Sequence, residues 1–177
     1  PEGGDLVNGL QDNIAFRALN EFNKPADIEG LVKDAGGNEV AKFSSFHMGM
    51  GAFSFKPVAG EKYIAEITKP EGIKKQYTLP EALSKGYVLN VDNSINGSVA
   101  LNIGSTGTDE LSIVGQVRGK IYYASEFKVN PGQNKLLISV SNFPMGVAQF
   151  TAFDSKGIAR AERLTFVNKD KQLHIDV

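Results

Sequence analysis

The sequence contains no cysteine. That excludes a disulfide framework, a thiol nucleophile and any cysteine-ligated metal within it. Tryptophan is also absent, and histidine occurs only twice, as His47 and His174. Two histidines without cysteine do not make a typical structural zinc site, although carboxylates can complete one. No apolar run approaches the ~18 residues of a membrane helix, and no signal-peptide pattern is visible. Direct membrane insertion is therefore not expected. A charge excess is missing as well: 19 Lys and Arg stand against 20 Asp and Glu, a net charge of −1. That balance gives no electrostatic reason to expect nucleic acid or an anionic membrane as partner. The chain starts at Pro1 rather than Met. It is expected to be a piece of a longer protein whose targeting signals lie outside it.

What is present is a β pattern. Apolar residues make up 41% of the 177, and 19 Gly and 7 Pro mostly bound short alternating runs, which favours an all-β fold. The stretch from Gly49 to Ile67 organises the first half. Phe53 and Phe55 alternate with Ser54 and Lys56, so one strand face is aromatic and the other polar. Pro57 ends that strand because it lacks the amide a ladder needs. Ala59-Gly60-Glu61 turns the chain, and Tyr63, Ala65 and Ile67 share one face of the returning strand. A tyrosine just after such a corner suggests the arrangement of immunoglobulin-like sandwiches, in which its hydroxyl bonds to upstream backbone.

Further strands are expected over 5–10 (weakly), 13–19, 28–33, 40–46 and 74–79. A second series covers 87–91, 99–103, 111–117, 121–129, 136–140, 147–153, 158–167 and 173–177. Turns are read at 20–25, with Asn23 a candidate left-handed residue, and at 34–38, 92–97, 118–120, 130–134 and 154–157. His47 is read in a turn. Residues 81–84 have the composition for one helical turn. Strand signals spaced roughly 8–12 residues apart are the pattern of sandwiches and barrels. The turn-rich segment 69–86 separates two strand sets of similar size. The expectation is two tandem antiparallel β-sandwiches, residues 1–82 and 83–177. Each would bury only about 60–65% of its unfolded surface, so docking between them is expected.

Candidate chemistry is sparse. Glu2, Asp5, Asp12 and Glu21 fit no calcium-loop spacing. Asp92-Asn93-Ser94 reads as an Asx turn before it reads as a calcium loop. Arg160 and Glu162 share a strand face, with Arg163 beside them, and cross-strand ion pairing is favoured over an anion site. Ser105-Thr106-Gly107-Thr108 lacks the Lys-Ser/Thr ending and helix of a phosphate cradle. Ser44 and Ser45 have no histidine at a recognisable catalytic motif. Tyr87, Tyr122 and Tyr123 are candidates for a sugar-stacking surface. Strict alternation sends Tyr122 and Tyr123 to opposite faces, so packing explains them more simply. Phe22 at a turn tip is unexpected, and reads either as a contact residue or as folded under the turn. No catalytic residue, cofactor site or metal site is assigned.

Three segments in order, Pro1-Glu2-Gly3-Gly4-Asp5-Leu6-Val7, Ile14-Ala15-Phe16-Arg17-Ala18 and Gly49-Met50-Gly51-Ala52-Phe53-Ser54-Phe55, resemble macroglobulin-like domains of the bacterial alpha-2-macroglobulin family and related cell-envelope proteins. The runs from Phe143 to Asp154 and from Ala161 to Asn168 look like the next domain of such an array. The resemblance implies stacked immunoglobulin-like sandwiches in a periplasmic, outer-membrane or cell-surface protein. Partners would be other domains of the same polypeptide, and an envelope protein or a protease. The trap's thioester needs a Cys-Gly-Glu-Gln motif, which this chain lacks, so no catalytic residue carries over. The expectation is a non-catalytic spacing and docking module. The rivals are a carbohydrate-binding or adhesin module, and accessory domains of a macroglobulin-type protease inhibitor.

Overall fold

A computed structural model describes residues 1–171. Among them the regular elements are β-strands plus one 3-10 turn, Lys169–Lys171. The alternating run expected over 173–177, with His174, lies outside the described residues. The chain divides into two compact units. One comprises Pro1–Glu2 and Leu6–Ser84, the other Gly3–Asp5 and the chain from Lys85 onward.

The first unit holds β1 (Asp12–Arg17), β2 (Glu29–Lys33), β3 (Glu39–His47), β4 (Met50–Phe55), β5 (Ile64–Lys69) and β6 (Gln76–Thr78). Hydrogen bonds connect them in the order β1-β4-β3-β2-β5-β6, all neighbours antiparallel. β3 joins two groups of strands. Its first part pairs with β2, and its end, at Ser45 and His47, pairs with β4. Leu6, Ile14, Val32, Phe43, Phe55 and Tyr63, from both groups and the segments between them, form one core. Aromatic rings run through it, Phe16 to Phe43 to Phe53 to Phe55 to Tyr63, with centroids 4.7–6.4 Å apart. Each such pair contributes about 0.5–1.5 kcal/mol beyond area burial.

Two glycines make room for these rings. A Cβ on Gly30 would stand 2.2 Å from the Phe43 ring, and one on Gly51 would stand 2.4 Å from the Phe16 ring. The strand expected over 5–10 does not form. Leu6, Val7 and Leu10 are buried without regular pairing, and Val7 makes a single parallel bridge to Leu83. Nor does a helical turn form at 81–84. Leu83 donates to the Leu6 carbonyl and accepts from Asn8, so this segment is held in extended pairing.

The second unit holds β7 (Tyr87–Asp92), β8 (Ser98–Ser105), β9 (Asp109–Val117), β10 (Lys120–Val129), β11 (Gly132–Ser139), β12 (Gly146–Phe153) and β13 (Ala159–Val167). They make a four-stranded sheet, β10-β9-β12-β13, and a three-stranded sheet, β11-β8-β7. Inward residues of both sheets, including Leu89, Leu101, Ile103, Leu111, Ile113, Ile138, Ala148 and Phe150, share one core. This unit is β-sandwich-like. Gly115 leaves space for Phe150, whose ring would lie 2.8 Å from a Cβ there. Residues 3–5 border β7: Gly4 bridges Val88, and the Gly3 carbonyl accepts from the Leu89 amide at 2.9 Å.

One alternation fails. The β9–β10 register shifts between Ile121 and Tyr123, and Tyr122 and Tyr123 both pack against the core. The extra residue of a bulge cancels the face reversal that strict alternation predicts.

Candidate interaction surface

The two most exposed aromatic side chains of the first unit, Phe22 and Phe46, lie on the segment after β1 and on the β3–β4 hairpin that docks onto it. The sequence Met48-Gly49 makes that hairpin tight. Both residues have positive φ, 47° and 73°, the combination whose twist matches the flanking strands. His47 therefore ends β3, opposite Met50, rather than lying in the turn. The Gly49 carbonyl accepts from the Ala18 amide at 2.8 Å, and its N–H donates to Asp27 Oδ1 at 3.1 Å. These bonds dock the hairpin tip onto the segment that follows β1.

That segment is itself organised by one side chain. Asn20 Oδ1 accepts from the amides of both Phe22 and Lys24, at 3.0 Å each. Asn23 takes the left-handed conformation expected of it, with φ 58°, and Leu19 bridges Pro25. The loop is fixed, yet Phe22 stays 72% exposed rather than folding under the turn. Phe46 is 76% exposed, Met48 57%, Leu19 45% and Met50 40%. Apolar side chains held outward on a fixed backbone do nothing for the core. A grouped set of them is the usual mark of a contact surface.

Elsewhere the residues singled out in the sequence serve the fold. Among the described residues no group of three or more His, Cys, Asp or Glu stands together as a metal site demands. Asp12 is buried, its Oδ1 accepting from the Asn13 amide, while Glu21 is exposed. Asp92 Oδ1 accepts from the Ser94 amide, forming the Asx turn, and Asn93 donates to Thr165 Oγ1 and the Phe166 carbonyl. Arg160 and Glu162 find different partners from one another. Arg160 binds Asp154, with Nε 2.8 Å from Oδ2, while Glu162 accepts from Gln149 at 2.6 Å and from Thr151. Turn geometry sets the first pairing and cross-strand register the second.

The hydroxyls are similarly committed. Ser105 Oγ donates to the Gly107 carbonyl, and Thr106 Oγ1 accepts from the Gly86 amide. Ser45 Oγ accepts from the Ile28 amide. Tyr122 lies against Phe143, with ring centroids 5.4 Å apart. Tyr87 donates its hydroxyl to Asp109 Oδ2. Burial first, and then that carboxylate, push the phenol up to about 12.

The chain matches no family model and no curated protein. Open depressions mark the surface of the described residues. One, of about 300 Å³, lies by Ile95, Val140, Phe166 and Asn168, and another, of about 480 Å³, by Asn8, Lys62 and Glu81. Neither is lined by a histidine.

A second group of exposed apolar residues lies on the four-stranded sheet. The register aligns Ile121, Gln116, Gln149 and Leu164 across four strands, with Val147 opposite Phe166 in the next row. Ile121, Val147, Leu164 and Phe166 are exposed. The sequence reading missed both groups except for Phe22. Apolar residues in strands read as core by default, and only pairing shows which face they occupy. A bulge or a tight turn resets the phase on which that reading depends.

Proposed function

We propose that this chain is a non-catalytic structural and docking module. Its Leu19, Phe22, Phe46, Met48 and Met50 surface is the contact site. The observation that carries this reading is the pairing of a hydrogen-bonded loop with two phenylalanines more than 70% exposed. Ordering a loop around an exposed ring lowers the entropy lost on binding, because the side chain is presented in advance. The setting would be a larger macroglobulin-type protein of the bacterial cell envelope, and the two units would be immunoglobulin-like. The order β10-β9-β12-β13 over β11-β8-β7 supports that for the second unit. The hydrogen bond to the Tyr63 hydroxyl supports it for the first. Partners would be other domains of the parent polypeptide, an envelope protein or a protease. A sugar-binding reading has less support, because Tyr122 and Tyr123 pack against the core.

The test is association in trans. The chain and the remainder of its parent polypeptide, expressed separately, bind one another. The Phe22→Ser/Phe46→Ser variant loses that binding while its melting temperature is unchanged. Equal binding by wild type and variant would remove the surface from the proposal.

A further inference from the structure

The chain's three methionines are its only sulfur atoms, since cysteine is absent. No thiolate is therefore present to react ahead of them. Met48 and Met50 flank Gly49 at the β3–β4 turn and are both exposed. Met145, between β11 and β12, is half-buried. The hairpin tip is anchored by the bonds of Gly49 to Ala18 and Asp27, so exposure of the two thioethers needs no unfolding. Neither belongs to the first unit's core.

We propose that Met48 and Met50 form an oxidation site for peroxide-class oxidants, switching this surface from apolar to polar while the fold persists. A sulfur lone pair attacks one oxygen of hydrogen peroxide. The S–O bond forms and the O–O bond breaks. Sulfur is oxidised by two electrons, and the departing hydroxide takes the proton carried by the oxygen now bound to sulfur and leaves as water. The sulfoxide is a polar hydrogen-bond acceptor, so each event removes apolar character beside Leu19, Phe22 and Phe46. The effect on docking rests on the proposed function, whereas the oxidation site itself does not.

The experiment is a hydrogen peroxide titration of the intact chain, followed by peptide mapping by mass spectrometry and by hydrophobic-interaction chromatography. Met48 and Met50 are expected to oxidise at least about threefold faster than Met145. The oxidised chain should elute earlier at an unchanged melting temperature, and methionine sulfoxide reductase should restore its retention. The Met48→Leu/Met50→Leu variant should keep its retention after peroxide. Oxidation of Met145 at an equal or greater rate would overturn the proposal, as would a peroxide-induced retention shift in the double variant. Association in trans, repeated with the oxidised chain, is a separate arm. Unchanged binding there with the predicted oxidation pattern would sink the docking reading and leave the oxidation site standing.

Discussion

The hydroxyl oxygen of Tyr63 accepts a hydrogen bond from the backbone amide of Val58 at 2.8 Å. The ring of Tyr63 packs edge-on against Phe55, 4.7 Å between centroids, and the residue is buried. One side chain thus ties the corner after β4 to the core that β4 builds. Tyr63→Phe keeps the ring and removes the acceptor. It should cost the first unit about 1 kcal/mol, the net worth of a typical hydrogen bond. Urea unfolding of the variant checks this, and an unchanged midpoint would show that the corner does not depend on the bond.

Gly30 faces both a ring and a backbone carbonyl. Its missing Cβ would lie 2.2 Å from the Phe43 ring and 2.4 Å from the Glu66 carbonyl oxygen. The ring has little room and the carbonyl belongs to the neighbouring β5, so Gly30→Ala should destabilise by about 2–3 kcal/mol through overpacking. Gly37→Ala makes a useful contrast. Nothing lies near its Cβ, and only the positive φ of 82° opposes it, so about 1 kcal/mol is expected. Thermal melts of the two variants give the comparison.

Tyr87 should ionise late. Its folded pKa of about 12 lies above the ordinary value, chiefly through burial and then through the Asp109 carboxylate that accepts its hydrogen bond. A raised pKa means that the neutral phenol favours the folded state. That contribution is complete below about pH 10 and is lost as pH climbs through about 12. Phenolate absorbance followed against pH should show one late step in the wild type and none in Tyr87→Phe.

Acid should weaken both units, through turn aspartates and one cross-strand glutamate. Asp154 is held below the usual carboxylate range, first by the Ile158 amide and then by Arg160 and the Lys156 amide. Asp34 is lowered by Asn38, and Glu66 by Lys33 and Gln76. For depressed groups, the stabilisation is present above the unfolded pKa near ~4 and is lost as pH falls through the lower folded value. Asp154→Asn should therefore lower the melting temperature at pH 7 and flatten its decline in acid. A parallel decline in the two proteins would contradict the assignment.

These residues mark what could be read from the sequence alone. A strand with clean alternation, such as β9, falls where the pattern places it, because one buried face enforces period two. The tyrosine corner was legible because Pro57, Gly60 and Tyr63 each carry a backbone consequence. The segment 6–10 was not. Its apolar residues are buried against neighbours distant in sequence, so they imitate a strand without making one. Gly30 and Gly115 fall inside the expected strands 28–33 and 111–117, and spacing does not show that they, with Gly51, leave room for phenylalanine rings on adjacent strands. Phe46 ends the expected strand 40–46 and Met50 follows it in the connection, and only their exposure shows both facing solvent. Local spacing carries the strands. The contact surface depends on strand pairing, which spacing does not encode.

The most direct measurement is amide hydrogen exchange over residues 18–24 and 46–50, in the isolated chain and in the larger assembly that the proposed function calls for. Docking through Phe22, Phe46 and the methionine turn predicts strong added protection of both segments in the larger assembly, with little change at 34–38 or 154–157. Identical exchange at 18–24 and 46–50 in the two states would contradict it.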